Sequence, residues 1–239
     1  MIKIKKTNYY LLIAFCLLFL FPSQSQATIT SVTLTWSTDT YIPINYQGKA
    51  LPSRGSMIEV VANINSADIN PKELFYNWFI DEHIQKGNSG QGKQVFKFNI
   101  GERNIKRSVK VDISNEEKTF SISSSYLVLK PQEPEIVLET ILAPAFSGLI
   151  QEYKITSDQT TIFTAQPYFF NINSINDLKY KWSLAGNIAE QDDNRNPNIF
   201  TLKIGKLAKS IKQKLNLWVE NINYPLQRTQ TTAEINLVP

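Results

Sequence analysis

The chain is poor in the residues that build reactive chemistry. It holds one cysteine, Cys16, and one histidine, His83, among 239 residues. Cys16 lies inside an N-terminal apolar run, so everything after that run is free of thiols. This excludes a disulfide framework, a thiolate zinc site and a cysteine nucleophile. One imidazole cannot supply the three or four protein ligands of a zinc centre. His83 stands beside Asp81 and Glu82 and reads as an exposed loop residue. A serine triad also needs a histidine partner and a serine on a sharp turn, and no Gly-x-Ser-x-Gly segment occurs. Paired carboxylates for glycoside hydrolysis carry no sequence signature of their own, so a hydrolase built on this chain stays open as a lesser alternative. A basic run is missing too, and so is a second apolar stretch long enough to span a bilayer, for which ~20 residues are needed.

The N-terminus has the form of an export signal. Lys3, Lys5 and Lys6 precede an apolar run from Tyr9 to Phe21, and Ser25-Gln26-Ala27 places small residues around a cleavage point. Residues 1–27 are therefore expected to be a signal peptide. Retention of the run as an anchor is the alternative, and a lipid on Cys16 is disfavoured by the bulky Phe15 before it. Cleavage lowers Lys plus Arg from 25 to 22 against 21 Asp plus Glu, a net charge of +1 instead of +4. A nearly neutral chain gives no electrostatic case for nucleic acid. The expected location is secreted or extracytoplasmic, with no membrane span after cleavage.

What the chain has in abundance is alternation, and the alternation occurs twice. Leu74, Tyr76 and Trp78 precede Phe96, Phe98, Ile100 and Gly101; Leu178, Tyr180 and Trp182 precede Phe200, Leu202, Ile204 and Gly205. The shift is 104 residues throughout, and the same shift carries Leu34 onto Leu138 and Ile58 onto Ile162. Period-two runs of β-branched and aromatic residues are strands. Several short strands per half, with turn residues between them, predict a β-sandwich. Each copy has roughly 105 residues, enough to bury a core without disulfides. The fold expected is all-β: two tandem sandwiches over 28–131 and 132–239, joined by a stiff connection at Pro131 and Pro134. Lys206–Lys214 is the one stretch that could form a short helical turn, although the repeat places it at the turn between two strands. Leu74, Tyr76, Trp78, Leu178, Tyr180 and Trp182 are assigned to the structural core, with each Trp crossing to the opposite sheet.

The Tyr-x-Trp strands at Tyr76-Asn77-Trp78 and Tyr180-Lys181-Trp182, with the Trp218-Val219-Glu220-Asn221 ending, resemble PKD-type domains of the immunoglobulin-like superfamily. The resemblance covers both halves and implies antiparallel immunoglobulin-like sandwiches. It departs where those domains place a Gly-Asp-Gly turn after the Trp: here Phe79-Ile80-Asp81-Glu82 and Ser183-Leu184-Ala185-Gly186 follow. The chain is also similar to uncharacterised exported proteins of small-genome bacteria, which brings no function with it.

Two candidate sites remain. Asp192, Asp193 and Asn194 cluster oxygen ligands in one loop, but fall short of the six or more that calcium takes. No catalytic residue and no cofactor is assigned. The long loop Thr38–Ser56, rich in Tyr and Pro, has a counterpart around Pro144–Gly148 of different content. Loops on rigid sandwiches carry function, and tyrosines favour interfaces. Tyr41, Pro43 and Tyr46 are therefore partner-binding candidates, unless they cover an open sheet edge. The reading is a non-enzymatic structural or binding module of the bacterial envelope, serving as spacer, adhesin or assembly component. Its partner would be another envelope or surface protein, or a polysaccharide. A carbohydrate-binding accessory module is the alternative.

Overall fold

The computed structural model describes residues 31–66, 69–115, 121–140, 151–189 and 195–239. The expected signal peptide and the acidic cluster Asp192, Asp193 and Asn194 lie outside these residues. The strands of the first half are β1 (Ser31–Thr38), β2 (Met57–Asn65), β3 (Phe75–Ile80), β4 (His83–Ile84), β5 (Gly90–Gln91), β6 (Val95–Asn99), β7 (Arg107–Ser114) and β8 (Ser121–Leu129). Those of the second are β9 (Glu135–Thr140), β10 (Gln151–Thr156), β11 (Thr160–Tyr168), β12 (Leu178–Leu184), β13 (Asn187–Ile188), β14 (Ile199–Lys203), β15 (Ile211–Asn221) and β16 (Arg228–Val238).

Each half is a β-sandwich of two sheets. In the first, β1-β2-β6 faces β4-β3-β7-β8, with β5 also pairing β3. In the second, β9-β11-β14 faces β13-β12-β15-β16-β10. Among the described residues the strands pair antiparallel except β10 on β16, which is parallel, as is the isolated bridge between Ser53 and Gln132. Alternation drives this arrangement: in β3, Tyr76 and Trp78 are buried while Phe75 and Asn77 are not. Two separate apolar cores result, one built from Ile58 through Leu129 and one from Ile136 through Leu237.

The two halves repeat each other down to single hydrogen bonds. Trp78 and Trp182 are 0 % and 1 % exposed. Trp78 stacks on Phe96 at 5.2 Å and Trp182 on Phe200 at 5.3 Å. Trp78 Nε1 donates to Lys93 O, and Trp182 Nε1 to Pro197 O, again 104 residues on. The Tyr76 hydroxyl donates to Pro71 O and the Tyr180 hydroxyl to Ile175 O. Burial without these partners would leave polar atoms unsatisfied at a cost of about 1–3 kcal/mol each, which is why the indole and phenol positions recur with their acceptors.

The turn after each Trp strand is the same two-residue hairpin. Asp81 and Glu82 have φ of 47° and 67°, and Ala185 and Gly186 have 50° and 85°. Two consecutive positive φ values make a type I′ turn, whose twist matches the flanking strands.

The structure corrects one detail of the repeat. Ile58 does not correspond to Ile162. Val60 pairs Phe96 whereas Phe163 pairs Phe200, so β2 and β11 are related by 103 residues. Ile162 accordingly points outward and is 40 % exposed, while Ile58 is 1 % exposed. A one-residue slip flips every side chain of a strand to the other face. Lys206–Lys214 forms no helix: Ile211 onward is strand β15.

Candidate functional site

The long β1–β2 loop does not project into solvent. It crosses to the second half and is clasped there. Tyr41 N–H donates to Phe170 O at 2.7 Å, and Phe169 N–H donates to Tyr41 O at 2.8 Å. Phe169 adopts a positive φ of 62° to make this contact, a conformation costing about 1–2 kcal/mol for a residue with a Cβ. Further along the loop, Ser53 bridges Gln132 of the inter-half connection, and Gln132 N–H donates to Pro52 O. Arg54 pairs with Glu133 at 2.6 Å. Pro131 and Pro134 are buried against this region rather than free in a tether.

At the centre of the clasp is a buried polar network. Gln227 is fully buried. Its Nε2 donates to Ser53 Oγ at 2.6 Å and to Arg54 O at 3.0 Å. Its Oε1 accepts from Asn171 N–H at 2.8 Å and from Asn221 Nδ2 at 3.0 Å. Asn171 Nδ2 donates to Arg54 O, and the Ser53 hydroxyl to Asn171 Oδ1. Every polar atom of the Gln227 amide therefore has two partners, the condition for a buried amide to be tolerated. Asn221 is the Asn of the Val-Glu-Asn ending. Its Oδ1 accepts the N–H groups of Asn223 and Tyr224, holding the β15–β16 turn in place for Gln227. Gly55 passes so close to Tyr224 that a Cβ there would sit 3.1 Å from the ring, at a φ of +75°. None of Ser53, Asn171 or Gln227 carried a signal in the sequence.

Where the loop rides over β9 and β11 it encloses a cavity of about 390 Å³. The structure brings Tyr41, Pro43 and Tyr46 together here, with Glu139, Gln166 and Tyr168 of the second half forming the floor. Tyr46 meets Tyr168 edge-on at 5.4 Å and Phe169 at 6.1 Å. Gln166 Nε2 donates to Glu139 Oε2 at 3.1 Å, which orients the carboxylate. Burial, and then Glu139 and Tyr46, push the Tyr168 phenol above its ordinary value. Tyr41, Tyr46 and Tyr168 are half-buried, whereas Phe169 and Phe170 are buried. Aromatic walls with a few fixed polar groups suit a small polar ligand with an apolar face.

The remaining candidates fall elsewhere. Leu74, Tyr76, Trp78, Leu178, Tyr180 and Trp182 all lie in the cores. His83 is exposed, its Nδ1 2.7 Å from Asp81 O. Asp81 accepts from Ser108 N–H and pairs with Arg107 at 2.7 Å. Among the described residues no three His, Cys, Asp or Glu side chains converge to hold a metal ion. Also among them, no helix is long and apolar enough to cross a membrane. Among the described residues the cavity lining holds one carboxylate, Glu139.

No protein-family model matches the sequence, and no curated protein matches it. Similar solved structures include the three N-terminal domains of the bacteriophage RB49 Highly Immunogenic Outer Capsid protein (Hoc), 14 % identical with a TM-score of 0.44, covering 87 % of this chain and 59 % of that one. Mouse nectin-like molecule 4 (full ectodomain) is 12 % identical with a TM-score of 0.27, covering 86 % and 65 %. Chicken CNTN1 FN1-FN3 is 10 % identical with a TM-score of 0.30, covering 83 % and 66 %. The chain spans less than two thirds of the length of each of these three.

Proposed function

We propose that this protein is an exported, non-enzymatic structural or binding module of the bacterial envelope, acting as a spacer, adhesin or assembly component. Residues 1–27 are removed as a signal, and 28–131 and 132–239 are the two PKD-like sandwiches. The observation that carries the reading is the clasp. A chain that needed only two independent sandwiches would join them by the short linker alone. Here the β1–β2 loop is tied to the β15–β16 turn by buried and part-buried hydrogen bonds among Ser53, Asn171 and Gln227, and to the linker by the bridge between Ser53 and Gln132. Such a joint holds two surfaces at a fixed separation, which is what a spacer or an adhesin stalk requires.

Small-angle scattering of the processed protein tests this. One rigid arrangement of the two sandwiches must fit the full curve; a curve that demands a broad spread of separations refutes the fixed-spacer reading. Mass spectrometry of the exported chain must find a first residue at position 28.

A second reading, carbohydrate binding, is favoured by the cavity under the loop, where Tyr41, Tyr46 and Tyr168 stand with Glu139 and Gln166. Glycan-array binding lost on Tyr46→Ala and Tyr168→Ala would support it. Binding that survives both substitutions, or no binding at all, would exclude it.

A further inference from the structure

The cavity beneath the β1–β2 loop is acidic, and no neighbouring cation balances it. Its floor is the outward face of β9 and β11. Alternation puts Glu135, Val137 and Glu139 of β9 on that face, beside Thr164, Gln166 and Tyr168 of β11. These six positions hold two carboxylates and no Lys or Arg. Residues 41–47, which form the roof, have no charged side chain. The loop does contain two cations, Lys49 and Arg54, and both are committed elsewhere. Lys49 Nζ sits 3.4 Å from the centre of the Trp36 ring, and Arg54 pairs with Glu133 at 2.6 Å.

Glu139 is the carboxylate that lines the cavity. Gln166 Nε2 holds its Oε2, and among the described residues no hydrogen bond or ion pair uses Oε1. The charge is felt nearby: after burial, Glu139 is the next cause that raises the Tyr153 and Tyr168 phenols above their ordinary value.

The walls are aromatic. Tyr46 and Tyr168 meet at 75° with ring centroids 5.4 Å apart, which makes a corner of two rings, and Tyr41 adds a third ring to the lining. Glycine at position 48 leaves room for this corner, because a Cβ there would collide with the hydroxyl end of Tyr46.

Charge and ring faces together select among ligands. The face of an aromatic ring is negative and attracts a cation, and aromatic cages are a recurrent way to bind quaternary ammonium groups. A neutral sugar can stack on the rings and donate to the carboxylate, but it leaves the charge of a half-buried site unbalanced. An anion is repelled. A bare ammonium such as that of lysine is strongly hydrated, whereas an alkylated one meets the rings with its methyl groups.

We propose that this cavity binds a quaternary ammonium head group, such as that of choline, seated in the corner of Tyr46 and Tyr168 and facing Glu139 Oε1. The inference rests on the binding-module reading and names a ligand class for it; a neutral sugar is the competing occupant.

Isothermal titration calorimetry of the processed full chain with choline tests this, with neohexanol as the uncharged carbon analogue of the same shape. Choline must bind saturably, and neohexanol about ten-fold more weakly or worse. Glu139→Gln must weaken choline by about three-fold or more. Tyr46→Leu and Tyr168→Leu, which keep an apolar side chain but remove the ring, must weaken it by about ten-fold. Tyr168→Phe keeps the ring and must keep the affinity, which separates a contact with the ring face from a hydrogen bond to the hydroxyl. Glu139→Gln and Tyr168→Phe alter no core packing and stay informative if a leucine variant fails to fold. Phosphatidylcholine vesicles then separate the sources: binding of choline and vesicles supports a lipid-borne head group, and binding of choline alone supports a soluble one. Absent choline binding, equal affinity for neohexanol, unchanged affinity in Glu139→Gln, or loss in Tyr168→Phe would each overturn the proposal. Binding of chitotetraose without choline would also overturn it, in favour of a sugar, while leaving the module reading intact; the fixed-spacer reading is decided separately by scattering.

Discussion

Removing the Gln227 side chain should uncouple the two sandwiches. Gln227→Ala deletes four hydrogen bonds. Three of the deserted partners keep another contact: Arg54 O still accepts from Asn171 Nδ2, Asn221 Nδ2 still donates to Asn171 O, and the Ser53 hydroxyl still donates to Asn171 Oδ1. Only the Asn171 N–H is left without a partner. A buried unsatisfied donor costs about 1–3 kcal/mol, and the other lost bonds add about 1 kcal/mol net. The sum is about 3 kcal/mol, roughly a hundred-fold in equilibrium. The energy falls on the contact between halves, since Ser53 belongs to the first and Asn171 and Gln227 to the second. Tryptophan fluorescence reports each half, with Trp36 and Trp78 in one and Trp182 and Trp218 in the other. In urea, with Trp→Phe reporters for each half, the wild type should lose both together, and Gln227→Ala should separate the two midpoints. Coincident midpoints unchanged from wild type would show that the network does not couple the halves.

Three further outcomes follow from the geometry. Glu82→Gly should stabilise the first half by about 0.5 kcal/mol, because relief of a left-handed conformation worth about 1–2 kcal/mol outweighs glycine's extra unfolded-state freedom of about 0.5–1 kcal/mol; a lower thermal midpoint would contradict the turn assignment. Trp182→Ala should cost about 3–5 kcal/mol in the second half and leave the first-half midpoint nearly unmoved in the Gln227→Ala background; an equal loss in both halves there would count against separate cores. Burial tends to raise the Asp81 pKa, but the Ser108 N–H, the Arg107 guanidinium and His83 outweigh it and hold it below the ordinary value. A depressed carboxylate stabilises the fold above its unfolded value, about 3.9, and that stabilisation is lost as pH falls through the lower folded value. The urea-midpoint gap between wild type and Asp81→Asn should therefore close as pH is lowered toward about 2; the carboxylate is partly exposed, so the gap is modest.

Several strands could be read from residues alone because their signal is local. Leu178-Lys179-Tyr180-Lys181-Trp182 alternates, and its burial alternates with it. β10 is the instructive omission. Gln-Glu-Tyr-Lys-Ile-Thr alternates as well, but the first half has no counterpart to match it against. Comparison of copies finds what is shared and passes over what differs. The same limit hid the register of β11, where a one-residue slip leaves isoleucine in place but moves it to the other face. For the candidate site, the loop stood out by its tyrosines and prolines, and Tyr41, Pro43 and Tyr46 do share one cavity. That its floor is Glu139, Gln166 and Tyr168 could not be read, because those residues are ordinary outward positions of β9 and β11.

By itself the amino-acid order determined two sandwiches, their cores and the places of Trp78 and Trp182, since a period of two and a repeat of 104 residues are properties of neighbours along the chain. The tertiary structure alone decided where the long loop goes and that Ser53 meets Gln227 across 174 residues. Contacts at that separation leave no periodic trace, because they are selected by the shape of two finished sandwiches rather than by the conformational preference of any one segment.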